Sequence, residues 1–220
     1  MPDQPGEPEV LDRVTTPRGE LVLRRVEGAF EVISNGVFLM DSRDGRSERA
    51  LVQAAVARHP EAHRLLVGGL GVGFSLLEAV ATPGLTGIDV VEIEPVLVGW
   101  HETHLSDLTG SALHDPRVTV LQQDVRDHLR ASPGRYDIVC LDVDNGPGWT
   151  VTEDNAELYS AAGLATCVKA LAQGGMLAVW SAHRSPAYEQ LVRETVGELE
   201  VVEVEVARGE PDIVYLADLR

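Results

Sequence analysis

A short apolar run, Leu65-Leu66-Val67, leads straight into Gly68-Gly69-Leu70-Gly71-Val72-Gly73, and helix-compatible residues continue from Phe74 to Ala81. The pattern predicts a buried parallel strand, a tight turn and a helix. Glycine is the residue that lets a backbone turn sharply and pass close to a bound molecule. The first turn of the succeeding helix offers N–H groups with no partner inside the helix. A glycine run alone also suits plain packing, so its meaning depends on the residues downstream.

Downstream, strands and helices alternate. Gly87–Glu92 reads as a second strand, and Pro95–His104 as a helix opened by a first-turn proline. Val118–Leu121 predicts a third strand, with a helix after Asp124 through Leu129. Tyr136–Leu141 is unbroken and apolar, hence a central strand buried on both faces. Asn155–Ala172 reads as a helix stopped by Gly174-Gly175, Met176–Trp180 as a strand, and Pro186–Leu199 as a helix. Leu199–Val206 and Ile213–Leu216 should close the sheet as an antiparallel edge pair. Such alternation implies a mostly parallel sheet of Rossmann-like α/β type.

The chain before this unit differs. Residues 1–9 read as a loose tail. Leu21-Val22-Leu23 and Phe30–Ile33 are β-rich, Asn35-Gly36 is a strong hairpin signal, and Val37–Met40 returns after it. A small antiparallel segment over 1–45, then a Rossmann-like α/β domain over 46–220, is the expected organisation. Ser47 is a candidate cap for a helix through Arg58, with Ala50, Leu51, Ala54 and Ala55 inward.

Composition narrows the partners. The chain has 220 residues and a formal charge of −17, from 35 acidic against 18 basic residues. Such a surface repels phosphate backbones and anionic lipid, so neither nucleic acid nor membrane is expected as a partner. Two cysteines, Cys140 and Cys167, lie in apolar runs and read as buried thiols. No segment offers 18 uninterrupted apolar residues, and the acidic, proline-containing N-terminus does not read as a signal peptide, so the cytoplasm is the expected compartment.

In open α/β sheets, ligands bind beyond the carboxyl ends of the strands, near the point where strand order reverses. The glycine turn, Glu92, Asp124 and the loop Asp142–Trp149 all fall there. Glu92 lies about 20 residues past the turn, where a ribose-binding acid sits in dinucleotide-type folds. Its two oxygens suit two ribose hydroxyls, and Asp124 suits an exocyclic adenine amine. No Lys-Ser/Thr pair comes after the glycines and no arginine lies near Glu92 in sequence, so the expected ligand is a nucleoside without phosphates. Each acid also has a plain reading as a helix cap or solvated turn. Trp180 reads as core, Trp149 as either pocket wall or packing, His183 as a weak candidate base, and His101 with His104 as surface residues rather than a metal pair.

LLVGGLGVG, VVEIEP, VLQQD and YDIVCLDVDNGP together resemble, in order, the motifs of class I S-adenosylmethionine-dependent transferases, and most closely the spermidine synthase-like branch. GELVLRRVEGAFEVISNGVFLM is similar to that branch's N-terminal β-hairpin segment. The resemblance implies a seven-stranded sheet, a homodimer, and a sulfonium or thioether nucleoside as ligand. S-adenosylmethionine, its decarboxylated form, and methylthioadenosine as product are the candidates. Carried over by motif, Gly68, Gly69, Gly71 and Gly73 would form the ligand turn, with Glu92 on the ribose and Asp124 at the adenine. Asp142 would take the proton from an attacking amine. Asp144, one residue out of the family's spacing, and Trp149 would meet the acceptor.

Two departures stand out. The family's aminopropyltransferases carry an aspartate in the glycine turn that repels an α-carboxylate; Gly71 or Val72 stands there. The acidic, aromatic stretch that helps form the polyamine pocket is replaced by Ser42–Glu48, with Arg43 and Arg46. The expected function is therefore transfer from S-adenosylmethionine or its decarboxylated form to a small acceptor, an amine or polyamine. Aminopropyl transfer is what the resemblance implies, and methyl transfer is what the missing aspartate implies. A non-catalytic nucleoside-binding protein is the alternative of another class. A nicotinamide dehydrogenase is disfavoured, because the Asp-x-Asp-Asn loop has no evident use in hydride transfer.

Overall fold

The computed structural model describes residues 7–150, 153–207 and 209–219. Among the described residues the first elements are four antiparallel strands in sequential order, β1 (Glu9–Thr16), β2 (Gly19–Val26), β3 (Ala29–Ser34) and β4 (Val37–Asp41); of the tail expected over 1–9, residues 1–6 lie outside the described residues and Glu9 already belongs to β1. Asn35, at φ 51°, and Gly36, at φ 79°, form the last hairpin turn, as the Asn-Gly pair predicts. Helix α1 (Arg46–Arg58) leads into the second sheet. Its N-cap is Gly45, without a side-chain cap. Ser47 is instead buried inside the helix and donates its hydroxyl to Glu48.

The main sheet contains β5 (Arg64–Gly68), β6 (Gly87–Glu92), β7 (Val118–Gln122), β8 (Tyr136–Leu141), β9 (Leu171–Ser181), β10 (Gly197–Val204) and β11 (Asp212–Leu219). Their spatial order is β10-β11-β9-β8-β5-β6-β7. β5 to β9 run parallel; β11 pairs antiparallel with β9, and β10 antiparallel with β11. Strand order reverses between β5 and β8, so a crevice opens beyond the ends of those two strands.

Alternation along the strands fills two cores. Leu65, Val67, Ile88, Val90, Ile138 and Cys140 face α1 and α2 (Phe74–Ala81). Leu66, Val139, Leu141, Leu177 and Val179 face the opposite layer of α5 (Val125–Arg130), α6 (Ala161–Ala170) and α7 (Pro186–Thr195). Cys140 and Cys167 are buried free thiols.

A third cluster binds the two sheets together. Leu21, Leu23 and Val32 of the first sheet pack on Val72 and Phe74, and on Leu97 and Trp100 of α3 (Pro95–His101). Each such side chain contributes about 1.5–3 kcal/mol when fully buried. The Trp100 indole N–H also donates to Asp12 of β1 at 2.7 Å. The first sheet is thus held over the start of α2, beside the crevice.

Several boundaries differ from the expected ones. α3 ends at His101, and a separate short turn, α4 (Ser106–Thr109), comes after it. The expected helix from Asn155 is a 3-10 segment, Glu153–Tyr159, and then α6, which Ser160 starts by accepting the Gly163 N–H at 3.2 Å. β9 begins at Leu171 and runs through Gly174-Gly175, because its pairing with β8 starts at Tyr136 opposite Leu171. None of the described helices is long and apolar enough to cross a membrane.

Candidate functional site

A cavity of about 160 Å³ opens in the crevice. Its wall is built from Gly69 and Gly71 of the glycine turn, Glu92–Glu94 after β6, Gln123–Val125 after β7, Asp142–Asp144 after β8, and Asn155. The first sheet supplies the remaining side through Thr16, Arg18, Gly19, Leu21 and Met40. Gly71, Glu92, Asp124 and Asp142 therefore meet on one cavity, although they span more than seventy residues of chain.

The glycine turn lies flat against the strand ends. Gly69, at φ 91°, donates its N–H to the carbonyl of Val91, and a Cβ there would stand 2.1 Å from the Asp142 carbonyl oxygen. Only glycine fits both the left-handed backbone and that approach.

Glu92 is 5% exposed. One carboxylate oxygen accepts the Leu70 N–H at 2.9 Å and the other the Glu94 N–H at 2.8 Å. The acid thereby ties the turn to β6, and each oxygen keeps a second lone pair for a ligand hydroxyl. Burial raises its proton affinity, and the backbone N–H groups of Glu94, Leu70 and Ile93 oppose that rise.

Asp124 has two partners already. It caps α5 by accepting the Arg126 N–H at 2.8 Å, and its carboxylate pairs with the Arg126 guanidinium at 2.6 Å. That pairing lowers its pKa. The plain reading as a helix cap is correct here, and the residue still lines the cavity.

Asp142 accepts the Ser75 hydroxyl at 2.9 Å. Burial pushes its pKa up to about 6, with the Asp212 charge adding to the rise. Glu48, in the first turn of α1, is pushed to about 8 by burial and by the charge of Asp142. Ser75 joins the two segments, since its hydroxyl also lies 3.3 Å from the Glu48 carbonyl. A carboxyl near 6 beside a ligand cavity is ionised at neutral pH yet still basic enough to accept a proton.

Asp144 sits in the left-handed region at φ 59°. Its oxygens accept the Asn145 N–H at 2.8 Å and the Asn155 amide at 2.9 Å. The Tyr159 hydroxyl holds the same loop through the Val143 carbonyl at 2.5 Å. Asp is one of the residues that tolerates that region, and here the turn faces the cavity.

Other expectations are corrected. Trp149 is 51% exposed and stacks on His183 at 6.4 Å between ring centroids, outside the cavity. Trp180 packs on the core, partly buried, as expected. Arg43 pairs with Asp41 and Glu31, and Arg46 with Asp44, and neither lines the cavity. An arginine does reach the neighbourhood of Glu92: Arg18, from the β1–β2 turn, lines the cavity, donating to Glu94 at 2.5 Å and to the Ile93 carbonyl at 2.8 Å. His104 is exposed, but His101 is buried at 2% and touches the glycine turn. Arg18 and Asn155 carry no motif, and Glu94, although inside VVEIEP, is not singled out by it.

A seven-stranded sheet in this order, with acids at the ends of β6, β7 and β8 around one cavity, defines a Rossmann-like domain of the class I methyltransferase type. A model of the spermine/spermidine synthase domain matches residues 46–202, and the chain belongs to that family. It is 30% identical over 145 residues to a polyamine aminopropyltransferase of Clostridium perfringens, covering 65% of this chain and 48% of that one. It is 35% identical over 153 residues to polyamine aminopropyltransferase 2 of Streptomyces coelicolor, covering 68% and 26%. The chain thus spans half or less of the length of these curated relatives. Among solved structures, spermidine synthase from Thermotoga maritima superposes with a TM-score of 0.79 at 13% identity, over 96% of this chain and 72% of that one. A spermidine synthase in complex with the transition state analogue AdoDATO gives 0.78, also at 13% identity, over the same shares. These two likenesses speak for the fold.

Proposed function

We propose that the chain is a transferase that alkylates a small amine, using a sulfonium nucleoside, S-adenosylmethionine or its decarboxylated form, as donor. The observation that carries this reading is the meeting of Gly71, Glu92, Asp124 and Asp142 on one cavity. The residues present fit a nucleoside. Glu92 has lone pairs to spare for ribose hydroxyls, Asp124 stands one strand further out for the adenine amine, and Gly69 and Gly71 let the turn approach closely. The donor supplies an electrophilic carbon on a cationic sulfur.

The chain's own part is to position and to move a proton. A protonated amine has no lone pair, so its nitrogen must lose a proton before it can attack carbon. Asp142, held by Ser75 and raised to about 6, accepts that proton. Asp144, fixed by Asn155, holds the cationic end of the acceptor. Arg18 and Thr16 at the β1–β2 turn grip Glu94, which supports a division into an N-terminal segment, 1–45, and a nucleoside-binding unit, 46–220, with the first sheet beside the cavity. The family's polyamine aminopropyltransferases point to a polyamine acceptor. A homodimer in the cytoplasm, without membrane or nucleic-acid partners, remains the working picture. Methyl transfer is favoured by one specific observation: the cavity wall at Gly71 carries no carboxylate to repel an α-carboxyl group.

Asp142→Asn tests the reading. Turnover with an amine acceptor should fall about 10²–10⁴-fold, the share of a general base, while methylthioadenosine binds within about threefold of the native chain. Unchanged turnover would remove Asp142 from the reaction. A thermal-shift comparison of S-adenosylmethionine with its decarboxylated form decides the donor.

A further inference from the structure

The glycine turn is gripped from two sides. Gly69, Gly71 and Gly73 all have positive φ, and glycines there leave the unheld turn many alternatives. On the β6 side, Glu92 holds the Leu70 N–H. On the opposite side stands His101, at the end of α3. Its Nε2 lies 2.9 Å from the Gly71 carbonyl oxygen, and its Nδ1 lies 3.2 Å from the Thr109 hydroxyl. A carbonyl can only accept, so Nε2–H is the donor, and the single Thr109 hydroxyl hydrogen is shared between the bare Nδ1 and the Leu105 carbonyl, each 3.2 Å away. Burial lowers the imidazole's proton affinity, which keeps this neutral form at pH 7. The packing is as close as the bonding. A Cβ on Gly73 would stand 2.4 Å from Thr109 Cγ2 and 3.2 Å from His101 Cε1. His101 does not line the cavity, whereas Gly71 does.

We propose that His101 is a positioning residue for the ligand cavity: its hydrogen bond to the Gly71 carbonyl, made from a side chain backed by Thr109, fixes the peptide that forms the glycine-turn wall. This rests on the nucleoside reading of that cavity. His101 acts through Gly71 and touches no ligand. The bond is partly buried, so its loss takes the side-chain donor from the Gly71 carbonyl and frees the turn to rotate away from the geometry that a ligand meets.

Three forms of the full chain test this: native, His101→Leu and His101→Gln. Leucine fills the space without a donor, whereas a glutamine amide N–H reaches where Nε2–H stands. Two readouts are taken at 10 °C, well below unfolding: the Kd for methylthioadenosine by calorimetry, and hydrogen exchange of the Val72–Gly73 amides without ligand. The leucine form should bind about tenfold more weakly and exchange about tenfold faster at the turn, the scale of one intramolecular hydrogen bond. The glutamine form should recover both to within about threefold. A leucine form with native Kd and native exchange overturns the proposal, even if its melting point drops, because that is the behaviour of plain core filling. A glutamine form no better than leucine also overturns it. If leucine prevents folding, His101→Asn, whose amide is too short to reach Gly71, takes its place with the same expectations. If the native chain takes up no methylthioadenosine, the nucleoside reading falls, and the exchange arm alone decides whether His101 fixes the turn.

Discussion

Replacing Asp142 by asparagine should stabilise the fold at neutral pH while impairing the proposed reaction. The carboxyl ionises near 3.8 ordinarily and near 6 in the fold. The folded state therefore binds the proton more tightly than the unfolded chain. Between those two values it holds the excess proton, so stability falls as pH rises through the window and levels off above it. The full penalty at pH 8 is about 3 kcal/mol, taking 1.36 kcal/mol for each tenfold change in proton affinity. Asp142 keeps one side on the cavity, where solvent screens its charge, so about 1–2 kcal/mol is the realistic size. Asparagine cannot ionise, and its amide oxygen still accepts the Ser75 hydroxyl. It also removes the charge that helps raise Glu48 to about 8. Urea unfolding of both chains at pH 4 and pH 8, at constant ionic strength, measures the effect. The variant should match the native chain at pH 4 and exceed it by about 1–2 kcal/mol at pH 8, or roughly 3–6 °C in Tm for a domain of this size. A variant less stable at pH 8, or a difference that ignores pH, would refute the electrostatic argument.

The geometry sets three further outcomes. Gly69→Ala forces a Cβ to within 2.1 Å of the Asp142 carbonyl at φ 91°, and should cost about 3 kcal/mol or more in urea unfolding; a loss under about 0.5 kcal/mol would mean the turn is soft. Arg18→Ala leaves Glu94, 8% exposed, without its cation and should cost about 1–3 kcal/mol, while Glu94→Gln in the same chain recovers most of it. Hydrogen exchange in β1 and β2 should quicken in the single variant and not in the double one. Asp124→Ala removes the cap of α5 and should cost about 1 kcal/mol by chemical denaturation; a neutral result would remove the capping role.

The strand–turn–helix at Leu65–Ala81 and the acids at Glu92, Asp124 and Asp142 were legible because each obeys a local rule. Apolar runs make buried strands, glycines make turns, and ligands collect at strand ends. The illegible parts depend on partners far along the chain. Arg18 meets Glu94 across 76 positions of sequence, and no pattern near either residue announces the pair. His101 and His104 are three apart on a helical run, which reads as a solvated face, but the helix stops at His101 and turns it onto a backbone carbonyl. Asn155 was expected inside a regular helix; the segment is 3-10 instead, and α6 begins only after the Ser160 cap. Gly163 suits that junction, since a Cβ there would stand 2.1 Å from the Leu158 carbonyl oxygen. Trp149 reads as either pocket wall or packing from its place after β8, and the loop carries it out to His183.

The most direct test of the account is calorimetric titration of the native chain and Glu92→Ala with methylthioadenosine and, separately, NAD. The account predicts one saturable site for methylthioadenosine on the native chain, binding at least about a hundredfold weaker in the variant, and no heat with NAD. Equal methylthioadenosine affinity in both chains, or uptake of NAD alone, would contradict it.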